Sequence, residues 1–243
     1  MKKVMKIVVT LMLMTVSVCI AGCTKSDDSN DGGNNGGGNN GGGNQGNHEY
    51  VDLGLPSGTL WATCNVGATT PEGYGDYFAW GETQTKDNYD WITYKWCNGG
   101  LDQLTKYCNN AGCGYNGFTD NLTTLEPSDD AVTANWGNEW RIPTREEFEE
   151  LYNNTTVTWI QQNGVNGSLF TASNGNSLFL PAAGFRKNSN LGEVGSYGYY
   201  LSSSLVIGSP VHAWNLYFRS DYVGMVGNNY RDEGFPVRPV REN

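Results

Sequence analysis

His212 is the only histidine in residues 50–243. Any Ser/His/Asp or Cys/His site in this stretch must use it as base. Ser209 and Asp221 lie near it in sequence, but no Gly-x-Ser-x-Gly elbow is present. A lone histidine beside Trp214 suits a packed or ligand-lining role better than proton transfer. Gly112-Cys113-Gly114-Tyr115-Asn116-Gly117 has the spacing of a dinucleotide loop. Such a loop works only between a strand and a helix, where the helix N-terminus meets pyrophosphate. Here Asn109-Asn110 and Phe118-Thr119-Asp120-Asn121 flank it, so the match reads as chance. Cys108-x4-Cys113 lacks the second pair that zinc requires, and no cluster supplies the roughly 6–8 oxygens of a calcium site. No catalytic residue, metal ligand or cofactor is assigned.

Residue types that suit binding gather between Tyr197 and Arg231 instead. The candidate ligand-binding residues are Tyr199, Asn215, Tyr217, Arg219, Asp221, Tyr222, Asn228 and Tyr230. Tyr, Arg and Asn give contact area and adaptable hydrogen bonds at small entropic cost. In residues 214–219, alternation sends Trp214, Leu216 and Phe218 to one face and Asn215, Tyr217 and Arg219 to the other. The first set reads as core and the second as exposed. The competing reading is that these aromatics fill an all-β core and its rim.

The elements that must position them are mostly short strands. Strand patterns run over 50–53, 60–66, 77–81 and 91–96, then over 156–160, 168–172, 177–180, 197–203, 213–218, 222–226 and 236–240. Gly-containing turns separate most of them. Residues 83–126 read as a long irregular insertion. Two helices are expected, one after Ser128-Asp129-Asp130 and one after Thr144-Arg145-Glu146-Glu147. The second start is a capping box, with Phe148, Leu151 and Tyr152 turned inward. The fold class is α+β, with antiparallel strands, two short helices and long ordered loops.

Residues 50–243 make one domain, with 11 Lys+Arg against 21 Asp+Glu. No basic stripe is visible, so nucleic acid is not an expected partner. This part holds Cys64, Cys97, Cys108 and Cys113. Four cysteines allow three connectivities; Cys97 with Cys108, closing a short polar loop, is the favoured one.

Ahead of this domain, Lys2, Lys3 and Lys6 precede an apolar run to Ile20 and then Ala21-Gly22-Cys23. That order reads as a secretory signal, too short for an ordinary membrane span. Its small-small-Cys ending resembles the lipobox of bacterial lipoproteins. The resemblance implies cleavage after residue 22, lipidation of Cys23, and a membrane held through the lipid anchor alone. Residues 24–49 contain nine Gly and seven Asn. They read as a disordered tether with an end-to-end distance of roughly 28 Å. Lys25-Ser26-Asp27-Asp28 resembles the acidic export signal of surface-exposed Bacteroidetes lipoproteins, which implies an outer-membrane, outward-facing location.

Four strings carry a family resemblance: residues 50–62, 75–82 (Gly-Asp-Tyr-Phe-Ala-Trp-Gly-Glu), 140–148 (Trp-Arg-Ile-Pro-Thr-Arg-Glu-Glu-Phe) and 234–240 (Gly-Phe-Pro-Val-Arg-Pro-Val). Together they resemble the Fibrobacter succinogenes major paralogous domain. The Arg-Ile-Pro-Thr start and the Gly-Phe-x-Val-Arg ending are also similar to formylglycine-generating enzymes. The resemblance implies a C-type-lectin-like fold in which N- and C-terminal strands meet. The residues agree: Arg141 before a helix and Arg238 in the last strand can both sit in polar networks, with acidic neighbours such as Glu82 or Glu139 as candidate partners. The oxidising cysteines of those enzymes are missing, since no Cys follows Cys113. Some related lipoproteins are diversified near the C-terminus by retroelements, and the Tyr- and Asn-rich mix here is compatible with that. The function expected is ligand recognition at the cell surface, with an extracellular protein or glycan as partner. Two rivals stand beside it. One is a glycan hydrolase with carboxylates about 5–10 Å apart in a cleft. The other is an appendage subunit whose exposed sheet edge accepts a donor strand.

Overall fold

The computed structural model describes residues 48–243. The expected signal, Cys23 and nearly all of the tether lie outside the described residues. Strands dominate, and two short helices accompany them. Among the described residues no helix is long and apolar enough to cross a membrane.

Both helices start where their caps dictate. Helix α1 (Ala131–Trp136) begins after the expected segment, with Asp130 as its cap. Asp130 Oδ1 accepts from the Val132 and Thr133 backbone N–H groups, and Oδ2 from that of Ile142. One carboxylate thus caps the helix and ties it to the following segment. Helix α2 (Arg145–Asn153) begins at the capping box: Thr144 Oγ1 accepts from Glu147 N at 3.2 Å, and Glu147 Oε2 from Thr144 N at 2.8 Å. Phe148 and Leu151 are fully buried, while Tyr152 is partly buried against the same cluster.

Strands from the two ends of the domain meet. β2 (Leu60–Ala62) pairs with β1 (Tyr50–Asp52) on one side and β13 (Val240–Arg241) on the other. β3 (Tyr77–Phe78) pairs with β12 (Phe235–Pro236). The meander β4 (Thr155–Gln162), β5 (Val165–Ala172) and β6 (Ser177–Pro181) forms one antiparallel sheet. β7 (Phe185–Lys187) and β8 (Asn190–Gly192) form a small ribbon. The central sheet is β9 (Gly198–Leu205), β10 (His212–Arg219) and β11 (Tyr222–Tyr230), with β10 in the middle.

Two cores press on this central sheet from opposite faces. Tyr200, Leu216 and Phe218 join Trp61, Phe148, Phe170 and Leu180 in one. Leu201, Leu205 and Ala213 join Trp80, Tyr107, Trp140 and Phe235 in the other. Alternate residues of the same strands feed different cores, as the pleat requires.

The expected strand at 91–96 does not form. The Asp90 carboxylate accepts from Thr93 N and the Thr93 hydroxyl donates to Asn88 O, a side-chain-made turn that outcompetes a ladder. The insertion is ordered by Arg231, whose side chain is fully buried. Its guanidinium donates to the carbonyls of Lys106, Tyr107 and Pro210 at 2.7–3.0 Å. Cys97, Cys108 and Cys113 are free thiols. The bridge expected between Cys97 and Cys108 is therefore not formed. Instead Cys97 Sγ donates to Trp91 O and Cys108 Sγ to Asn110 O.

The arginine networks use other partners than expected. Arg141 makes a two-pronged bond to Glu147, 2.7 Å on each side, and these bonds hold the Glu147 carboxyl below its usual range despite its burial. Glu82 binds Lys86 at 2.9 Å, and Glu139 lies 3.8 Å from Arg241. Arg238, fully buried, donates to Asn65 Oδ1 and to the carbonyls of Ala62 and Thr63. Burial lowers its pKa to about 10.

Candidate binding surface

The far end of the central sheet carries a row of tyrosines. Tyr199 on β9 stands opposite Tyr217 on β10, and Tyr217 opposite Gly224 on β11. Cross-strand neighbours on one face touch: the Tyr199 and Tyr217 rings are 5.1 Å apart. Tyr197, two residues before Tyr199, stacks on Tyr217 at 5.9 Å and an interplanar angle of 20°. Tyr222 lies 5.7 Å from Tyr217 on the other side. Glycine at 224 makes room for it. A Cβ there would stand 2.7 Å from the Tyr222 hydroxyl, so the phenol lies back across the bare backbone. The row is anchored inward, because Tyr199 packs on Phe185 and Phe235 at 5.4 and 5.8 Å. It opens outward to Tyr222, which is 47 % exposed.

Charged groups frame the row. Tyr199 donates to Glu193 Oε2 at 2.8 Å; burial first and this carboxylate second push its hydroxyl pKa well above the usual tyrosine value. Arg219 Nε and Asp221 Oδ1 pair at 2.8 Å, both exposed. Such a pair contributes little to stability and leaves a guanidinium and a carboxylate facing solvent beside the rings. The arrangement is a strip of mutually tilted aromatic rings with a donor and two acceptors at its margin. It suits stacking and hydrogen bonding.

Five of the eight expected residues therefore come together: Tyr199, Tyr217, Arg219, Asp221 and Tyr222. Three do not. Asn215 is 1 % exposed, because the second core covers its face through its neighbours Leu201 and Ala213. Its Nδ2 donates to Ala213 O. Tyr230 pairs with His212 at the other end of the hairpin, roughly 17 Å from Tyr217 along β10, and stacks on His212 at 4.8 Å. Asn228 is exposed on that same distal half. Trp214, expected in the core, is only half-buried. The ladder is interrupted around it, since extra residues of β9 and β11 lie opposite, and its indole stacks under the Arg145 guanidinium at 4.0 Å. Glu193, Tyr197 and Gly224 were missed in the candidate set. For Tyr197 the local signal is its i, i+2 spacing from Tyr199, which puts both on one face.

The other candidate residues lie apart from the row. Ser209 Oγ and His212 Nδ1 are 2.9 Å apart, but His212 N also donates to Ser209 O, a local turn. Asp221 sits at the opposite end of the hairpin. In the 112–117 stretch, Tyr115–Gly117 forms a single 3-10 turn. Glu126 and Asp129 both bind Lys106. A cavity of about 490 Å³ opens where Thr124, Asp130, Arg141, Thr144 and Ser203 meet. A second, of about 280 Å³, passes Arg145, Ser204 and Trp214. Neither is lined by the tyrosine row. No family model, curated protein or solved structure matches this chain.

Proposed function

We propose that this chain is a lipid-anchored cell-surface protein whose domain binds an external protein or glycan on the tyrosine row. The single observation that carries the reading is the row itself. Tyr197, Tyr199, Tyr217 and Tyr222 form one connected aromatic strip, reaching from buried Phe235 to solvent and edged by Glu193, Arg219 and Asp221. A packing role accounts for its inner end and leaves the exposed Tyr222 and the exposed ion pair without a purpose. The pairing of β2 with both β1 and β13 supports a C-type-lectin-like fold, in which chain ends meet and the C-terminal strands display the ligand surface.

The test is a protein and glycan array probed with residues 50–243, followed by Tyr217→Ala, Arg219→Ala and Tyr222→Ala in the captured interaction. Loss of capture with an unchanged melting curve is the expected result. Equal capture by the triple variant discards the surface. For the anchor, Cys23→Ser should release the protein from membranes; unchanged membrane fractionation removes that part of the proposal.

A further inference from the structure

β4 is the outer strand of its sheet. β5 pairs with it along the full register from Thr155↔Ala172 to Gln162↔Val165. Among the described residues, no backbone bond outside that ladder involves residues 155–162. The connecting turn decides which groups face outward. Asn163 and Gly164 both have positive φ, 48° and 85°, the two-residue turn whose twist matches its strands. Its closing pair, Gln162↔Val165, exchanges both hydrogen bonds, and bonded pairs then alternate. Thr156, Thr158, Ile160 and Gln162 therefore bond to β5. Thr155, Val157, Trp159 and Gln161 point their N–H and C=O groups away from the sheet.

Natural proteins usually blunt such an edge with Lys, Pro, a bulge or a covering element. The run Thr-Thr-Val-Thr-Trp-Ile-Gln-Gln holds no charge and no proline, and its register with β5 is unbroken. In a chain of net charge −10, a neutral strip is where two copies meet with least repulsion.

We infer that β4 pairs antiparallel with β4 of a second copy of this chain, about a twofold axis at Thr158. This register is the one that gives every outward group a mate. Val157 bonds with the partner's Trp159, and Thr155 with the partner's Gln161. Shifting the strands leaves outward groups unpaired at the ends. Side chains agree with it. Val157 and Trp159 both pack against the core, so their contact is an aromatic–β-branched pair of the favourable kind. On the opposite, exposed face, Thr158 meets the partner's Thr158. The strip is self-complementary, which a twofold interface demands and an unrelated peptide does not. The pair would carry two tyrosine rows and so bind a multivalent surface with avidity; the pairing itself does not depend on the row.

The test uses the full chain in its membranes. Thr158 lies in a non-bonded pair, with Cα atoms about 4.5 Å apart, inside the range a disulfide spans. Thr158→Cys should form a covalent dimer on treatment with diamide, which takes up the two electrons and two protons of the paired thiols. Thr156→Cys, roughly 13 Å from its copy, should not, nor should the unaltered chain with its native thiols. Thr158→Lys and Thr158→Glu should each weaken association about fivefold or more through like charges directly opposite, and mixing the two should restore it. Thr158 is exposed, and restoration on mixing shows that both variants are folded. No crosslink at 158, an equal crosslink at 156, an adduct to a different protein, or no restoration on mixing overturns the inference.

Discussion

Asp232 should make this fold lose stability as the solution becomes less acidic. Its side chain is 5 % exposed, and Oδ1 has no hydrogen-bond partner. Among the described residues the adjacent Arg231 makes no ion pair with it; its guanidinium donates to three carbonyls instead. Burial first, and then the Glu233 carboxylate, push its pKa up from 3.8 to about 7; Lys187 and Lys86 pull the other way. Lys187 is itself bound to Glu233 at 2.7 Å and Lys86 to Glu82 at 2.9 Å. The folded chain thus holds this proton over a range where the unfolded chain has released it. The stability that the protonated form contributes is full below about pH 4 and is lost as pH rises through about 7. At 1.36 kcal/mol per unit, the loss approaches about 4 kcal/mol. Asp232→Asn removes the ionisation and leaves a buried amide that costs about 1–3 kcal/mol when unpaired. The variant should therefore be less stable than the parent near pH 4 and more stable above about pH 8, with crossing curves. Urea unfolding of residues 50–243 at stepped pH and fixed ionic strength measures this. Parallel curves for the two proteins would refute the argument.

Gly224→Ala should displace the Tyr222 ring, because the new Cβ stands 2.7 Å from its hydroxyl. Binding of the array-identified ligand should weaken about three- to tenfold with no loss of melting temperature, and unchanged affinity would count against a role for Tyr222. Gly198→Ala acts inside the core: its Cβ would lie 2.0–2.4 Å from the buried Phe218 ring. Thermal unfolding should show about 1–3 kcal/mol of destabilisation, and a neutral result would mean the strand shifts freely. Alkylation followed by non-reducing peptide mapping should find Cys97, Cys108 and Cys113 modified as free thiols. Cys97 and Cys113 should react slowly in the native state, since burial raises both thiols; a Cys97–Cys108 crosslinked peptide would contradict the structure.

What could be read from the sequence is what neighbouring residues settle between themselves. The capping box at Thr144 needs only Glu147, three residues on, and α2 starts there. Alternation needs only the pleat, and Asn215, Tyr217 and Arg219 do share one face of β10. Alternation does not say what covers a face. Leu201 and Ala213 bring the second core over Asn215, while Tyr217 stays half-buried and Arg219 is exposed, so identical logic failed at one position and held four residues later. The same limit explains the insertion. Residues 83–126 carry no period, yet buried Arg231 ties Lys106 and Tyr107 within it to Pro210 beyond it, contacts more than a hundred residues apart for the first two. It also explains Cys97 and Cys108, whose thiols donate to the carbonyls of Trp91 and Asn110 instead of joining each other. The tyrosine row sits where the local and non-local terms coincide. Its residues alternate correctly, its far strand is hollowed by Gly224, and the second core reaches only its inner end, where Phe185 and Phe235 meet Tyr199. A sheet face that the second core covers over Asn215 is left half-open at this end, with Tyr222 exposed at its margin.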